Sequence, residues 1–173
     1  MNETIQKMLG RRSVRKYRKD PVPADLLETV IEAGLYAASG RNIQAPIIVA
    51  VTNSDEVAAL SKANADVMGS SGDPFYGAPA VLIVLSEKIA GTYVYDGSLV
   101  MGNLMLAAHA CGLGSCWIHR AREVFAKPEW QQWLKDHGVD AEVEGIGFCI
   151  IGYADCELPK AQPRREKRVF WVK

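Results

Sequence analysis

The chain has 173 residues, and 20 Lys and Arg balance 20 Asp and Glu, so its formal charge is zero. That balance excludes global electrostatic attraction to nucleic acid or to an anionic membrane surface. Apolar residues make up 49% and charged residues 23%, which excludes disordered, collagenous and coiled-coil chains. A chain of this length buries roughly 70% of its unfolded surface, enough for one hydrophobic core. One domain over residues 1–173 is therefore expected.

The longest apolar runs, 78–85 and 99–108, are far shorter than the roughly 20 residues that span a bilayer. No membrane segment is expected. Residues 1–12 are polar and charged where a secretory leader would be apolar, which points to the cytoplasm. Cys111, Cys116, Cys149 and Cys156 are too sparse for a disulfide scaffold, so free thiols are expected.

In chain order, Ile5, Met8 and Leu9 predict a short amphipathic helix that stops at Gly10. After the turn Asp20-Pro21-Val22-Pro23, helical spacing of Leu26, Leu27, Val30, Ile31 and Leu35 predicts a helix from Ala24 towards Ala38. Residues 47–52 read as a buried strand. Asn53, Ser54 and Asp55 offer caps for a helix over 57–65, followed by a Gly- and Ser-rich loop at 69–74. A second strand is expected at 81–85. The segment 95–111 is apolar nearly all round and predicts a central buried helix ended by Gly112. Beyond it, 115–118 reads as a strand, 121–134 as one helix carrying Phe125, Trp130 and Trp133, and 145–153 as a fourth strand. The tail carries Arg164-Arg165-Glu166-Lys167-Arg168 and then Val169-Phe170-Trp171-Val172, an apolar end that a lone subunit would leave wet.

Three constellations could carry chemistry. Arg11, Arg12, Ser13 and Arg15 with Lys160, Arg164 and Arg165 supply the guanidinium forks and hydroxyl that a phosphate monoester wants. Solvated charge runs, or a weak RNA contact, fit the same residues. Ser39, Asn42 and Gln44 lie between a helix and a strand, and their amides suit a ring of alternating carbonyls and N–H groups; capping and turn duty fit equally. Gly112-Leu113-Gly114-Ser115-Cys116-Trp117-Ile118-His119-Arg120 places a strand end where its backbone N–H groups could face a ligand. His109, Cys111, Cys116 and His119 match no zinc spacing, so no metal is expected. A Cys116–His119 nucleophile pair lacks an orienting partner.

Together these constellations resemble the nitroreductase family of flavin enzymes. Arg11-Arg12-Ser13-Val14-Arg15-Lys16-Tyr17 is similar to its R-R-S-x-R-x-F/Y motif, and Ala38-Ser39-Gly40-Arg41-Asn42-Ile43-Gln44 to its P-S-x-x-N-x-Q-P motif. Gly112 to Ile118 resembles G-L-G-S/T-C-W-I, and Gly152-Tyr153 with Pro163-Arg164-Arg165 resembles the closing G-Y…P-R-K/R. The resemblance implies an α+β fold with a mixed, mostly antiparallel sheet flanked by helices, built as an intertwined homodimer with FMN at the subunit interface. By carry-over, Arg11, Arg12, Ser13 and Arg15 would hold the FMN phosphate and pyrimidine edge, completed by Lys160, Arg164 and Arg165. Ser39, Asn42 and Gln44 would line the ring from the other subunit, and backbone N–H groups at Ile118, His119 and Arg120 would face N5 and O4. No side chain is nominated as catalytic, because the flavin carries the chemistry.

The implied activity is hydride transfer from NAD(P)H through flavin N5 to a small nitroaromatic or quinone-type acceptor, in ping-pong order, with no nucleic-acid or membrane partner. Dehydrogenation of a biosynthetic intermediate on the same fold, or flavin binding without turnover, are the alternatives. Ala38, Ala45 and Pro46 depart from the family pattern. So does His119-Arg120, which stands where Gly-Gly or Glu-Gly is frequent, and the helical insertions of longer members are missing.

Overall fold

The computed structural model describes residues 1–89 and 91–173. Six α-helices and four strands are present among the described residues, in the order α1 (Glu3–Gly10), α2 (Ala24–Leu35), β1 (Pro46–Val51), α3 (Ser54–Met68), β2 (Ala80–Glu87), α4 (Tyr93–Ala110), β3 (Gly114–Ile118), α5 (Ala121–Phe125), α6 (Pro128–Asp136) and β4 (Val143–Gly152). The strands form one sheet in the order β1-β2-β4-β3, every neighbouring pair antiparallel. A parallel bridge from Ser13 to Ser115 and an antiparallel bridge from Tyr17 to Ala154 stitch the N-terminal segment beside β3 and the end of β4, making the sheet mixed.

Both faces of the sheet are covered, which explains why β2 and β4 read as continuous apolar runs instead of alternating ones. Along β2, Val81, Ile83 and Leu85 meet α3 and α5 with Phe148 and Ile150 of β4. Leu82 and Val84 turn to the other face, against Leu27 and Val30 of α2 and Met101 and Leu104 of α4. The period of two thus sorts one strand into two cores. A bulge opposite Val84 and Leu85 leaves Ile146 unpaired between Gly145 and Gly147. Gly147 cannot carry a side chain, because a Cβ there would collide with the Trp117 indole.

Asn53 caps α3 by accepting from the Asp55 and Glu56 N–H groups at 2.9 and 3.1 Å, so the helix begins at Ser54 and runs on to Met68, beyond the expected 57–65. The single helix expected over 121–134 is two helices. Pro128 lacks an N–H and holds Lys127 extended at φ −80°, ψ 137°, so α5 ends at Phe125 and Pro128 opens α6. Phe125, Trp130 and Trp133 still meet across the break, with ring centroids 5.7 to 6.4 Å apart.

The expectation of a buried α4 also needs correction. Met101, Leu104 and Ala108 are buried, but Tyr95 (71% exposed), Leu99 and Val94 lie on a face that the chain itself leaves open. Residues 155–173 are all exposed, Trp171 at 81%. No helix among the described residues is long and apolar enough to cross a membrane, and all four cysteines are free.

Candidate functional site

The N-terminal segment is fixed by backbone and burial. The Val14 N–H donates to the Ser115 carbonyl at 3.0 Å, the Arg18 N–H to the Tyr153 carbonyl at 2.9 Å, and the buried Tyr17 hydroxyl to the Val14 carbonyl at 2.9 Å. Burial holds the Tyr17 phenol well above its ordinary range, so this tie is a neutral one. With Val14 and Tyr17 facing inwards, Arg15 is left exposed on the outer side.

There Arg15 meets the end of β3. A cleft of about 340 Å³ is lined by Arg15, Cys116, Trp117, Ile118, His119 and Arg120, and by the loop that carries Asp73 and Tyr76. The Asp73 carboxylate shapes that loop, accepting from the Phe75 N–H at 2.8 Å, the Gly77 N–H at 2.6 Å and the Ser61 hydroxyl. A larger cavity of about 790 Å³ lies between α3 and the same loop, reaching Lys19 and Val22. It contains none of the residues selected from the sequence.

Arg11 and Arg12 adjoin this segment with different duties. One Arg12 Nη donates to the carbonyls of Leu9 (2.8 Å) and Arg11 (2.7 Å), satisfying the end of α1. One Arg11 Nη and the Arg12 Nε are buried without a partner, as is the Ser115 hydroxyl on β3. Buried donors of this kind are costly when left unpaired, and two guanidinium groups with free N–H capacity fit an anionic ligand. His109, close to Gly10, has its pKa lowered by burial and then by Lys7, Arg11 and Arg12, which marks the same corner as cationic.

The second constellation sits elsewhere. Loop 39–44 contains a 3-10 turn (Gly40–Asn42), with Arg41 at φ 53°, Asn42 at φ 55° and Gln44 at φ 55°. Non-glycine residues avoid this region, so the loop is held by specific bonds. The Gln44 N–H donates to Ser39 Oγ at 3.1 Å, Gln44 Nε2 donates to Asn42 Oδ1 at 3.0 Å, and the Gly40 N–H donates to the buried Asp96 of α4 at 3.0 Å. Ser39, Asn42 and Gln44 are therefore brought together, but none of them lines the cleft with Arg15. Lys160, Arg164 and Arg165 are exposed on the tail, where Arg164 bonds the Gln162 carbonyl, and they do not line it either.

Sequence reasoning missed Asn64. It is fully buried on α3, and its Nδ2 donates to the His119 carbonyl at 2.6 Å. The available signal was position: Asn64 follows Leu60 by four residues on the stripe that faces the core.

The family model described as the nitroreductase family matches residues 8–80. A nitroreductase with bound FMN from Bacteroides fragilis NCTC 9343 is similar over 100% of both chains, with a TM-score of 0.91 and 27% identity. The chain is thus similar to the nitroreductase family in sequence over residues 8–80 and to one of its FMN-bound structures over its whole length. An NADPH-flavin oxidoreductase of Vibrio harveyi is 29% identical across 95% of this chain and 70% of its own length. Iodotyrosine deiodinase bound to FMN and 3-iodo-L-tyrosine aligns over 98% of this chain and 99% of its own, with a TM-score of 0.77 and 22% identity, a likeness of fold alone. The α+β fold expected from the sequence motifs is thus the fold observed.

Proposed function

We propose that this chain is an FMN-dependent NAD(P)H oxidoreductase acting on small nitroaromatic or quinone-type acceptors in ping-pong order, with the whole chain serving as one flavin-binding domain. Two observations carry the reading: the cleft in which Arg15 meets the His119–Arg120 turn, and, outside its lining at the end of α1, the guanidinium donors of Arg11 and Arg12 that are buried and unpaired. When bound, FMN supplies the two-electron chemistry, accepting hydride from NAD(P)H and passing it to the acceptor.

The protein's part is to bind and orient. Arg11 holds the phosphate with its free N–H, supported by Ser13 and by Arg12, whose remaining capacity is smaller because it also closes α1. Arg15 places positive charge at the pyrimidine edge, where it favours an electron-rich ring. The backbone at Ile118, His119 and Arg120 faces the reactive edge of the ring.

Ser39, Asn42 and Gln44 reach the ring from a second copy, a reading supported by their place on a loop tied to α4 and outside the cleft. A homodimer also accounts for the open apolar face of α4 and for Val169, Phe170, Trp171 and Val172, all exposed here. Lys160, Arg164 and Arg165 then complete the phosphate site as the tail crosses between subunits.

A visible spectrum of the purified protein tests the reading. Flavin absorption is expected, bleached by NADPH without oxygen and restored by menadione. A colourless protein that takes up no added FMN refutes it.

A further inference from the structure

Asn64 makes a bond whose consequence lies on the far side of a peptide plane. Only its amide nitrogen can face a carbonyl oxygen, so the 2.6 Å contact fixes Nδ2 as donor and His119 O as acceptor. The His119–Arg120 peptide is trans, so its N–H points opposite to its carbonyl. With the carbonyl turned towards α3, the Arg120 N–H is turned away from α3, and among the described residues it has no acceptor.

This orientation is held against a backbone preference. Arg120 has φ 76° and ψ 14°, a left-handed conformation that disfavours any residue with a Cβ by roughly five- to thirtyfold in population. Rotating the single peptide between His119 and Arg120 would return φ of Arg120 to the ordinary negative range. It would also exchange the exposed N–H for a carbonyl. The Asn64 bond is the contact that such a rotation must break.

We propose that Asn64 is a positioning residue that latches the His119–Arg120 peptide so that an N–H, not a carbonyl, faces the bound flavin. The proposal rests on the FMN reading of the cleft. It implies redox selectivity: N5 of oxidised flavin accepts a hydrogen bond, whereas N5 of the reduced form carries hydrogen. A latched N–H therefore favours the oxidised form, and a rotated carbonyl favours the reduced one.

Asn64→Leu and Asn64→Ala both remove the donor, and Ala suits the helix should Leu fit poorly. In each, affinity for oxidised FMN is expected to fall about tenfold while affinity for reduced FMN changes less than about threefold, so the midpoint potential rises. Adding Arg120→Gly removes the left-handed penalty and is expected to restore most of the oxidised-form affinity. Equal losses for the two oxidation states, with no change in potential, overturn the proposal, because a purely structural amide would act that way.

The peptide can be read without flavin. The sequential nuclear Overhauser effect from His119 Hα to Arg120 H–N reports ψ of His119, and its intensity is expected to change in both donor-less variants and recover with Arg120→Gly. An unchanged intensity overturns the latch. A wild-type protein that binds no FMN refutes the proposed function, and this measurement still decides whether Asn64 holds the peptide.

Discussion

Replacing Asp96 with Ala tests how the strained loop 39–44 is held in place. The carboxylate is 3% exposed and accepts from the Gly40 N–H and the Thr92 hydroxyl, each at 3.0 Å. Hydrogen bonds to a charged group contribute about 1.5–3 kcal/mol each. Thr92 is exposed, so water replaces its lost partner, whereas the half-buried Gly40 N–H is left wanting. Losing a first-turn acid from α4 adds about 0.3–1 kcal/mol. The expected cost is about 2–4 kcal/mol, seen in urea at fixed protein concentration as a midpoint lowered by roughly 1–2 M. Hydrogen exchange supplies the local readout: the Gly40 amide should lose protection before the strands do, because opening the loop also relieves the positive φ of Arg41, Asn42 and Gln44. A midpoint shift worth less than about 0.5 kcal/mol, with Gly40 protection unchanged, would refute the claim that Asp96 anchors the loop.

Three further outcomes follow from the same geometry. Arg11→Ala is expected to weaken FMN roughly 10- to 100-fold and riboflavin much less, because a charge-assisted bond to phosphate is what it removes; equal effects on the two ligands would dismiss the phosphate assignment. Since the folded pKa of His109 lies below its ordinary 6.5, the unfolded chain binds the proton first as pH falls. Its contribution to stability therefore declines from about pH 6.5 down to the folded pKa and is flat below it. His109→Gln should remove that part of the pH dependence in urea titrations at pH 7.5 and 5.5, and identical profiles would contradict the burial argument. Truncation after Arg168 deletes four apolar side chains, each worth roughly 1.5–3 kcal/mol if buried by a partner; sedimentation should show a weaker dimer that also binds FMN less well.

Much of the fold could be read from local rules. Both faces of β2 are covered, so its unbroken apolar run marked it as a strand without revealing its inner place in the sheet, and Asn53 announced the start of α3 with two N–H groups to cap. The break before Pro128 was also written in the chain, but the aromatic residues on either side keep a common face and disguised it as one helix. Arg15 and the His119–Arg120 turn were selected from sequence and do share a cleft. What sequence could not reveal is pairing at a distance. Asn64 acts on a carbonyl 55 residues away, and Asp96 on an amide 56 residues away. Each looks like an ordinary polar residue on a helix until the sheet brings its partner alongside. The open face of α4 was hidden for a related reason: hydrophobicity reports that a surface is to be buried, not whether its own chain or another copy covers it.

The division of the proposed site between two copies has a consequence that no single-chain arrangement reproduces. Arg15 lines the cleft, whereas Asn42 and Gln44 sit on a loop tied to α4 and outside it. Suppose one chain carries Arg11→Ala with Arg15→Ala, and another carries Asn42→Ala with Gln44→Ala. Each forms a homodimer in which both sites are damaged. When the two chains are refolded together in equal amounts, half of the dimers are mixed. In every mixed dimer the cleft of one chain and the loop of the other are both intact at one site, while the second site carries all four changes. About a quarter of all sites should then bind FMN as wild type does, by the symmetry of a two-fold interface. If loop and cleft of the same chain formed the site, mixing would restore none. Tight-binding FMN titration of the mixture counts the restored sites, and a count near zero from a mixture shown by differential tagging to contain mixed dimers would mean that loop 39–44 does not serve the partner's cleft.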